Sequence, residues 1–226
     1  MDSVLRLQGR IGSRTLLLTT AAVPLALAAL TDDLRVRRQL AAARRDPLTG
    51  LLRRDTYTGR ARRLLARHGD DVAVLLVDLD HFKQINDTMG HAAGDAVLAA
   101  TAARLTAWAG THASVGRLGG DEFAVVLVLP SDRMEQRLAQ LVRMLHSPVV
   151  LDDGCTVDVA ASVGAATPCV IGSRELALLQ RAADAALYDG KHSGRAAVAT
   201  AAHAAVPSVN GRRSGRPGTA MWGRAA

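Results

Sequence analysis

Residues 117–123 read Arg-Leu-Gly-Gly-Asp-Glu-Phe, between apolar runs of strand character at 113–116 and 123–129. Two adjacent glycines between strands predict a tight hairpin turn. Gly119 and Gly120 tolerate positive φ and let another group approach bare backbone. Two carboxylates, Asp121 and Glu122, follow at once. A folding turn does not need two acids beside two glycines. A site for a divalent cation and a polyphosphate does, because oxygen ligands suit Mg²⁺ and exposed main chain suits phosphate. Taken alone, Gly-Gly-Asp-Glu fits a solvated hairpin tip better than a site.

The stretch that changes this balance lies upstream. Residues 71–80 read Asp-Val-Ala-Val-Leu-Leu-Val-Asp-Leu-Asp. An unbroken Val- and Leu-rich run over 72–77 predicts a strand covered on both faces. It ends in Asp78 and Asp80, which share a face at a spacing of two. Acids at the carboxyl end of a central strand sit where open α/β sheets bind ligands. Asp80 is expected to cap the following helix. A cap needs only one acid, which leaves Asp78 as a metal ligand.

The run 78–87, Asp-Leu-Asp-His-Phe-Lys-Gln-Ile-Asn-Asp, is followed by Gly90-His91, Gly94-Asp95 and the Arg-Leu-Gly-Gly-Asp-Glu-Phe stretch. This succession resembles the GGDEF domain of diguanylate cyclases. Asp-Pro-Leu-Thr-Gly-Leu at 46–51 resembles that domain's opening motif. Ala-Asp-Ala-Ala-Leu-Tyr at 183–188, with Lys191 and Gly194-Arg195, resembles its closing one. The motifs run in the family's order from about Asp46 to Arg195. One departure falls at Arg53, where the family's turn carries Asn before the Arg matched by Arg54.

The resemblance implies an α/β (α+β) fold of the palm-like nucleotidyl-cyclase type, a central mixed sheet flanked by helices with a helical segment at the N-terminus. It implies condensation of two GTP into cyclic di-GMP with release of two pyrophosphates, by a homodimer using two Mg²⁺ (or Mn²⁺) per site. Asp78, the Leu79 carbonyl, Asp121 and Glu122 would hold metal. Asp121, or water beside it, would take the 3′-hydroxyl proton, and Lys83 would offset charge in the transition state. Asn86 and Asp95 would read the guanine edge with His91 nearby. Bare backbone at Gly119 and Gly120 would admit the nucleotide. The Phe82-Lys83 main chain, Lys191 and Arg195 would hold the β- and γ-phosphates. The alternative is a catalytically silent domain that binds GTP as a regulatory module; the retained acids count against it.

The same residues have plainer roles available. Asn86 suits a helix-terminal cap, Asp95 a first-turn acid, His91 an ordinary loop position, and Lys191 and Arg195 solvated charges at a helix C-terminus. Many family members also carry Arg-x-x-Asp just before the strand leading into the Gly-Gly turn, where product binds and inhibits. Here that place is Gly110-Thr111-His112-Ala113, which offers neither group.

The net charge of +7 resembles a nucleic-acid signal but is unevenly spread. Residues 1–45 hold eight Arg against three Asp, and 197–226 hold four Arg and no acid, which leaves 46–196 at −2. No nucleic-acid partner is expected. Cys155 and Cys169 lack metal-ligand spacing, and are expected to be reduced thiols in the cytosol.

Three regions follow: an apolar segment and connecting helix (1–45), the cyclase domain (46–199) and a basic disordered tail (200–226). Residues 15–30 are nearly all apolar but shorter than the ~20 residues of a usual span, and contain Pro24. A membrane anchor and a helix packing on a partner stay open, with the catalytic domain expected in the cytoplasm either way. A helix over 32–45 has acids in its first turn and Arg44 and Arg45 in its last. Its stripe of Leu30, Leu34 and Ala41 suits a connector or a dimerising stalk. Predicted helices follow over 55–68, 81–87, 94–108 (with Val97, Leu98, Ala102 and Leu105 on one face), 132–146 (opened by an Asp132/Glu135 capping box) and, capped by Ser173, from there to about 189. A second hairpin joins 149–151 to 155–164 through Asp152-Asp153-Gly154, and 196–199 is expected to form a last short strand.

Overall fold

The computed structural model describes residues 29–33, 35, 40, 42–191 and 196–204. The chain divides into two units, Met1–Arg44 and Arg45–Ala226. In the first, residues 29–33, 35, 40, 42 and 43 are helical. Leu34, Ala41 and almost all of the apolar segment 15–30 lie outside the described residues. No described helix is long and apolar enough to cross a membrane.

The second unit runs β1 (Leu52–Arg53), α1 (Arg54–His68), β2 (Val72–Asp80), α2 (Phe82–Met89), α3 (His91–Ala109), β3 (Ser114–Gly119) and β4 (Glu122–Val128). It continues with α4 (Met134–Leu145), β5 (Val149–Val150), β6 (Thr156–Val157), β7 (Ala160–Ala166), α5 (Pro168–Ile171), α6 (Leu176–Gly190), β8 (Ala197–Val198) and α7 (Ala201–Ala204). Six strands form one mixed sheet in the order β1-β3-β4-β2-β7-β8. The four inner strands are antiparallel neighbours, and the two edge strands join in parallel.

Strand β2 lies between β4 and β7 and is covered on both faces, which is why residues 72–77 are apolar without alternation. Ala73, Leu75, Val77 and Leu79 enter a core with Val97, Leu98 and Leu105 of α3 and Leu138 and Leu141 of α4. Val72, Val74 and Leu76 enter a second core with Tyr57 and Leu65 of α1 and Leu179 and Ala183 of α6. Side-chain alternation then carries the second face on to Asp78 and Asp80. The apolar layer therefore ends in carboxylates at the carboxyl end of β2.

Gly164 sets how closely α6 covers this face. A Cβ there would stand 2.0 Å from the Ala183 carbonyl oxygen and 2.6 Å from the Leu187 nitrogen. The glycine lets α6 lie directly on β7, and so brings Lys191, the residue after the helix, to the end of β2.

Several local expectations need correction. The Gly-Gly pair is not the turn: Gly119 still pairs with Glu122, and the two-residue loop is Gly120-Asp121. Helix α3 begins at His91 instead of Gly94, because Gly90, at φ 84°, closes α2 and opens α3 without a longer loop. Asp80 does not cap α2; the preceding residue His81 takes a left-handed conformation, with no side-chain cap bond. The Asp132/Glu135 box does not form, because a 3₁₀ turn over Ser131–Arg133 shifts the α-helical start to Met134. Ser173 does not cap α6: its Oγ accepts from the Glu175 amide at 3.1 Å, and Glu175 takes the cap position two residues later. The expected strand 155–164 splits, with Thr156–Val157 pairing β5 and Ala160–Ala166 joining the main sheet.

Candidate active site

The site begins as a row across three strands. Asp78 of β2 stands opposite Glu122 of β4 on one side and Ser162 of β7 on the other. Directly opposed residues in an antiparallel pair hold their Cβ atoms roughly 4.5–5.5 Å apart, and like charges there repel. Asp78 is 2% exposed, so water does little to screen it from Glu122. A cation at this point relieves the conflict.

In the structure that cation is Lys191. Its Nζ donates to Asp78 Oδ1 at 2.8 Å and lies 3.9 Å from Asp80 Oδ1. Ser162 Oγ donates to both carboxylate oxygens of Asp80, at 2.8 and 3.0 Å. Asp80 is thus turned towards the row, away from α2.

The Gly-Gly-Asp-Glu hairpin closes over the row. The Leu79 amide donates to the Asp121 carbonyl at 3.3 Å, which fixes the turn against the end of β2. Two arginines hold the turn from the other side. Arg54 Nη2 donates to the Leu118 carbonyl at 2.6 Å, and Arg117 Nε to the Gly120 carbonyl at 2.9 Å. Arg117 Nη1 also donates to Asp46 Oδ1 at 3.0 Å, tying the turn to the start of the unit. Burial tends to push the Asp46 carboxyl up, but hydrogen bonds from the Thr49 hydroxyl and amide, with the Arg117 guanidinium, hold it below the usual carboxylate range.

Gly119 and Gly120 face open space. A Cβ on Gly119 would meet only Arg54 Nη2, at 3.9 Å, and Gly119 does not have positive φ. Packing within the chain therefore does not require glycine at 119, whereas a ligand pressed on the main chain does. A groove of about 510 Å³ opens beside the turn, lined by Asp46, Arg54, Arg117 and Gly120 among others.

A second group sits on α2 and α3. The N-terminus of α2 carries no side-chain cap, so Phe82 and Lys83 lie at the positive end of a helix dipole. Lys83 is exposed and Phe82 half-buried. Asn86, half-buried on α2, reaches to Gly94 of α3, where a Cβ would fall 2.1 Å from Asn86 Oδ1 and 3.2 Å from Phe82 Cζ. Asp95 is the next residue. His91 lies one turn earlier on the same face, and both are exposed.

The structure thus brings Asp78, Glu122, Asp121 and Lys191 together, and pairs Asn86 with the start of α3 near Asp95. Arg195 lies outside the described residues. Sequence reasoning missed Ser162 and the bracing roles of Arg54 and Arg117. No spacing rule marks these, because their contacts span 82, 64 and 71 residues. Among the described residues no group of three or more His, Cys, Asp or Glu side chains is gathered closely enough to hold a metal alone.

The model of the GGDEF domain of diguanylate cyclases matches residues 43–197, more than half of the chain. An uncharacterized 19.3 kDa protein of Streptomyces ambofaciens is 50% identical over 158 residues, 70% of this chain and 84% of its own length. Diguanylate cyclase TpbB of Pseudomonas aeruginosa is 40% identical over 158 residues. This covers 68% of the present chain and 36% of TpbB, so the chain spans about a third of that cyclase. The solved GGDEF domain of TpbB superposes with a TM-score of 0.63 at 35% identity, covering 70% of this chain and 96% of that domain. The GGDEF domain of DgcB from Caulobacter crescentus, solved in complex with c-di-GMP, gives a TM-score of 0.62 at 27% identity, covering 69% and 93%. From its opening Asp-Pro-Leu-Thr to the Gly-Gly-Asp-Glu-Phe hairpin and the closing Lys191, the chain belongs to the GGDEF family of diguanylate cyclases.

Proposed function

We propose that this domain condenses two GTP into cyclic di-GMP, releasing two pyrophosphates, with divalent cations and as a dimer. The observation that carries this is the pair Asp78 and Glu122, set opposite each other with Asp78 buried. Opposed carboxylates serve a fold poorly and a cation well. Both offer only oxygen, as the Leu79 carbonyl does, which fits Mg²⁺ or Mn²⁺. Two carboxylates leave ligand positions open, as Mg²⁺ sites that complete their shell with substrate phosphates require. When bound, two such ions would neutralise the triphosphate, polarise the α-phosphate and lower the pKa of the attacking 3′-hydroxyl.

The chain's own residues divide the remaining work. Asp78 and Glu122 would hold the cations, with Asp121 at the turn taking the 3′-hydroxyl proton directly or through water. Gly119 and Gly120 would let the nucleotide lie against bare backbone. The α2 N-terminus, Lys83, Lys191 and Arg195 would hold the phosphates. Asn86 and Asp95 would accept from the guanine N1–H and N2 amine, with His91 beside them. One subunit offers one such site. Two must face each other across a two-fold axis for each 3′-hydroxyl to reach the other α-phosphate. A GTP substrate places the domain in the cytoplasm.

The test is purified protein with GTP and Mg²⁺ or Mn²⁺, assayed for cyclic di-GMP over a range of protein concentrations. Product should form, and the rate per subunit should rise with concentration. GTP binding without product would identify a silent regulatory domain instead. A concentration-independent rate from a demonstrated monomer would exclude the two-subunit mechanism.

A further inference from the structure

We propose that Lys191 is a resident counter-ion: it neutralises Asp78 until a metal-bearing nucleotide arrives, so the divalent cation enters with the nucleotide and not ahead of it. This rests on the reading of Asp78 as a metal carboxylate.

Three features carry it. The first is charge. Asp78 is buried, faces Glu122 across the β2–β4 register and has Asp80 two residues away on the same face. Lys191 Nζ sits within hydrogen-bond distance of Asp78 and 3.9 Å from Asp80. It answers much of the local negative charge that would otherwise draw a free divalent cation.

The second is competition for one atom. A Mg²⁺ ion needs a carboxylate oxygen at roughly 2.0–2.1 Å. An ammonium 2.8 Å from Asp78 Oδ1 occupies the approach to that oxygen. A bare cation must expel a paired ammonium into water and then sit beside it.

The third is freedom to move. Lys191 follows the last residue of α6, and its amide bonds the Leu187 carbonyl at 3.0 Å. The base of the side chain is fixed, while its side chain is 29% exposed and ends in a flexible four-carbon stem. A triphosphate entering the site offers the ammonium new anionic oxygens, which offsets the loss of Asp78. Nucleotide and cation then assist each other's binding, and the assistance is reciprocal.

The experiment measures Mn²⁺ binding to the full chain by electron paramagnetic resonance, first without nucleotide and then with 3′-deoxy-GTP, which cannot condense. An ammonium 2.8 Å from Asp78 Oδ1 both blocks that oxygen and repels an incoming cation at short range. Lys191→Gln and Lys191→Met should therefore each bind Mn²⁺ at least tenfold tighter than wild type without nucleotide. Lys191→Arg, which keeps the charge, should stay within about twofold of wild type. Adding 3′-deoxy-GTP should narrow the gap between wild type and the neutral variants. Equal affinities in wild type and both neutral variants, with Asp78→Asn still unable to bind Mn²⁺ beside 3′-deoxy-GTP, would overturn the counter-ion and leave the metal site standing. If Asp78→Asn binds Mn²⁺ beside 3′-deoxy-GTP as well as wild type does, the metal reading falls and takes the counter-ion with it.

Discussion

The carboxylate end of the site is built from strands and the proposed base-reading end from helices. Asp78 is almost wholly buried, and its neighbours Glu122 and Ser162 are set by register on two sides. Asn86 is half-buried and Asp95 exposed, on two helices joined through Gly90. A one-residue slip of β4 would turn Glu122 away from Asp78 and also pull Ala124 and Val126 out of the core, so the whole sheet guards that geometry. The Asn86–Asp95 arrangement comes instead from two helices packed side by side, with their close approach at Gly94. The proposed chemistry thus falls on residues held by strand register, and the proposed choice of base on residues held by helix packing.

The difference breaks most sharply with Asp78→Ala or Glu122→Ala. Each should lower cyclic di-GMP formation by at least about 10³-fold, because an unscreened triphosphate is not held in line for attack. Thermal stability should hold or rise in Glu122→Ala, where one of two opposed carboxylates is removed, and should fall in Asp78→Ala, which leaves Lys191 without its 2.8 Å partner. Turnover near wild type in either variant would remove that residue from the metal site.

Gly94→Ala probes the helix end without touching a proposed ligand group. A Cβ at 94 would collide with Asn86 Oδ1, so the amide must swing aside. The GTP KM should rise towards that of Asn86→Ala, and discrimination against ATP should weaken. Each lost hydrogen-bond partner costs about 1–3 kcal/mol, or roughly 5- to 150-fold. Asn86→Ala with Asp95→Ala should raise KM further while kcat falls less. Unchanged guanine preference in the double variant would take both residues out of the base pocket.

How much of this was legible in sequence follows the same division. The run 72–77 foretold the central strand because burial on two faces leaves a pattern in consecutive residues. Val97, Leu98, Ala102 and Leu105 were readable as one helix face, and all are buried. Contacts between distant residues left no such trace. That Lys191 meets Asp78 across 113 residues depends on Gly164 admitting α6 to β7, a tertiary fact. The helix caps misread at Asp80, Asp132 and Ser173 fail for a related reason. Local side-chain bonding was outweighed by Ser162 at Asp80, and by other turn geometries at Asp132 and Ser173.

A gentler break lies at the junction that braces the hairpin. Asp46→Asn should lower the midpoint of thermal unfolding at neutral pH by about 2–4 °C, for a loss of about 1 kcal/mol. The Asp46 pKa is lowered in the folded state. Its contribution is therefore present above the ordinary value of 3.8 and lost as pH falls through the folded value. The gap between wild type and Asp46→Asn should close on acidification below about pH 4. A gap that persists at lower pH would show that the Thr49 and Arg117 contacts do not depend on the charge.

The smallest effect is expected from the product. At Gly110-Thr111-His112-Ala113 the structure presents the end of α3, with Gly110 at φ 76° and His112 exposed, and no guanidinium or carboxylate from these four residues. Arg137 braces this end. Its guanidinium lies 4.6 Å from the Trp108 ring centroid and donates to the Trp108 carbonyl and to Gln140 Oε1. Its planar fork is therefore already used within the chain. Arg133 and Arg143 line a groove of about 590 Å³ with Arg137 and two glutamines, which supplies positive charge but no acid to complete recognition of guanine. Progress curves should accordingly stay near linear as micromolar cyclic di-GMP accumulates, and product added beforehand should barely lower the initial rate. Potent non-competitive inhibition would sink this expectation. If Arg143→Ala then abolished that inhibition, the groove on α4 would be its seat, and the guanidinium lacking at 110–113 would have been supplied from a different helix.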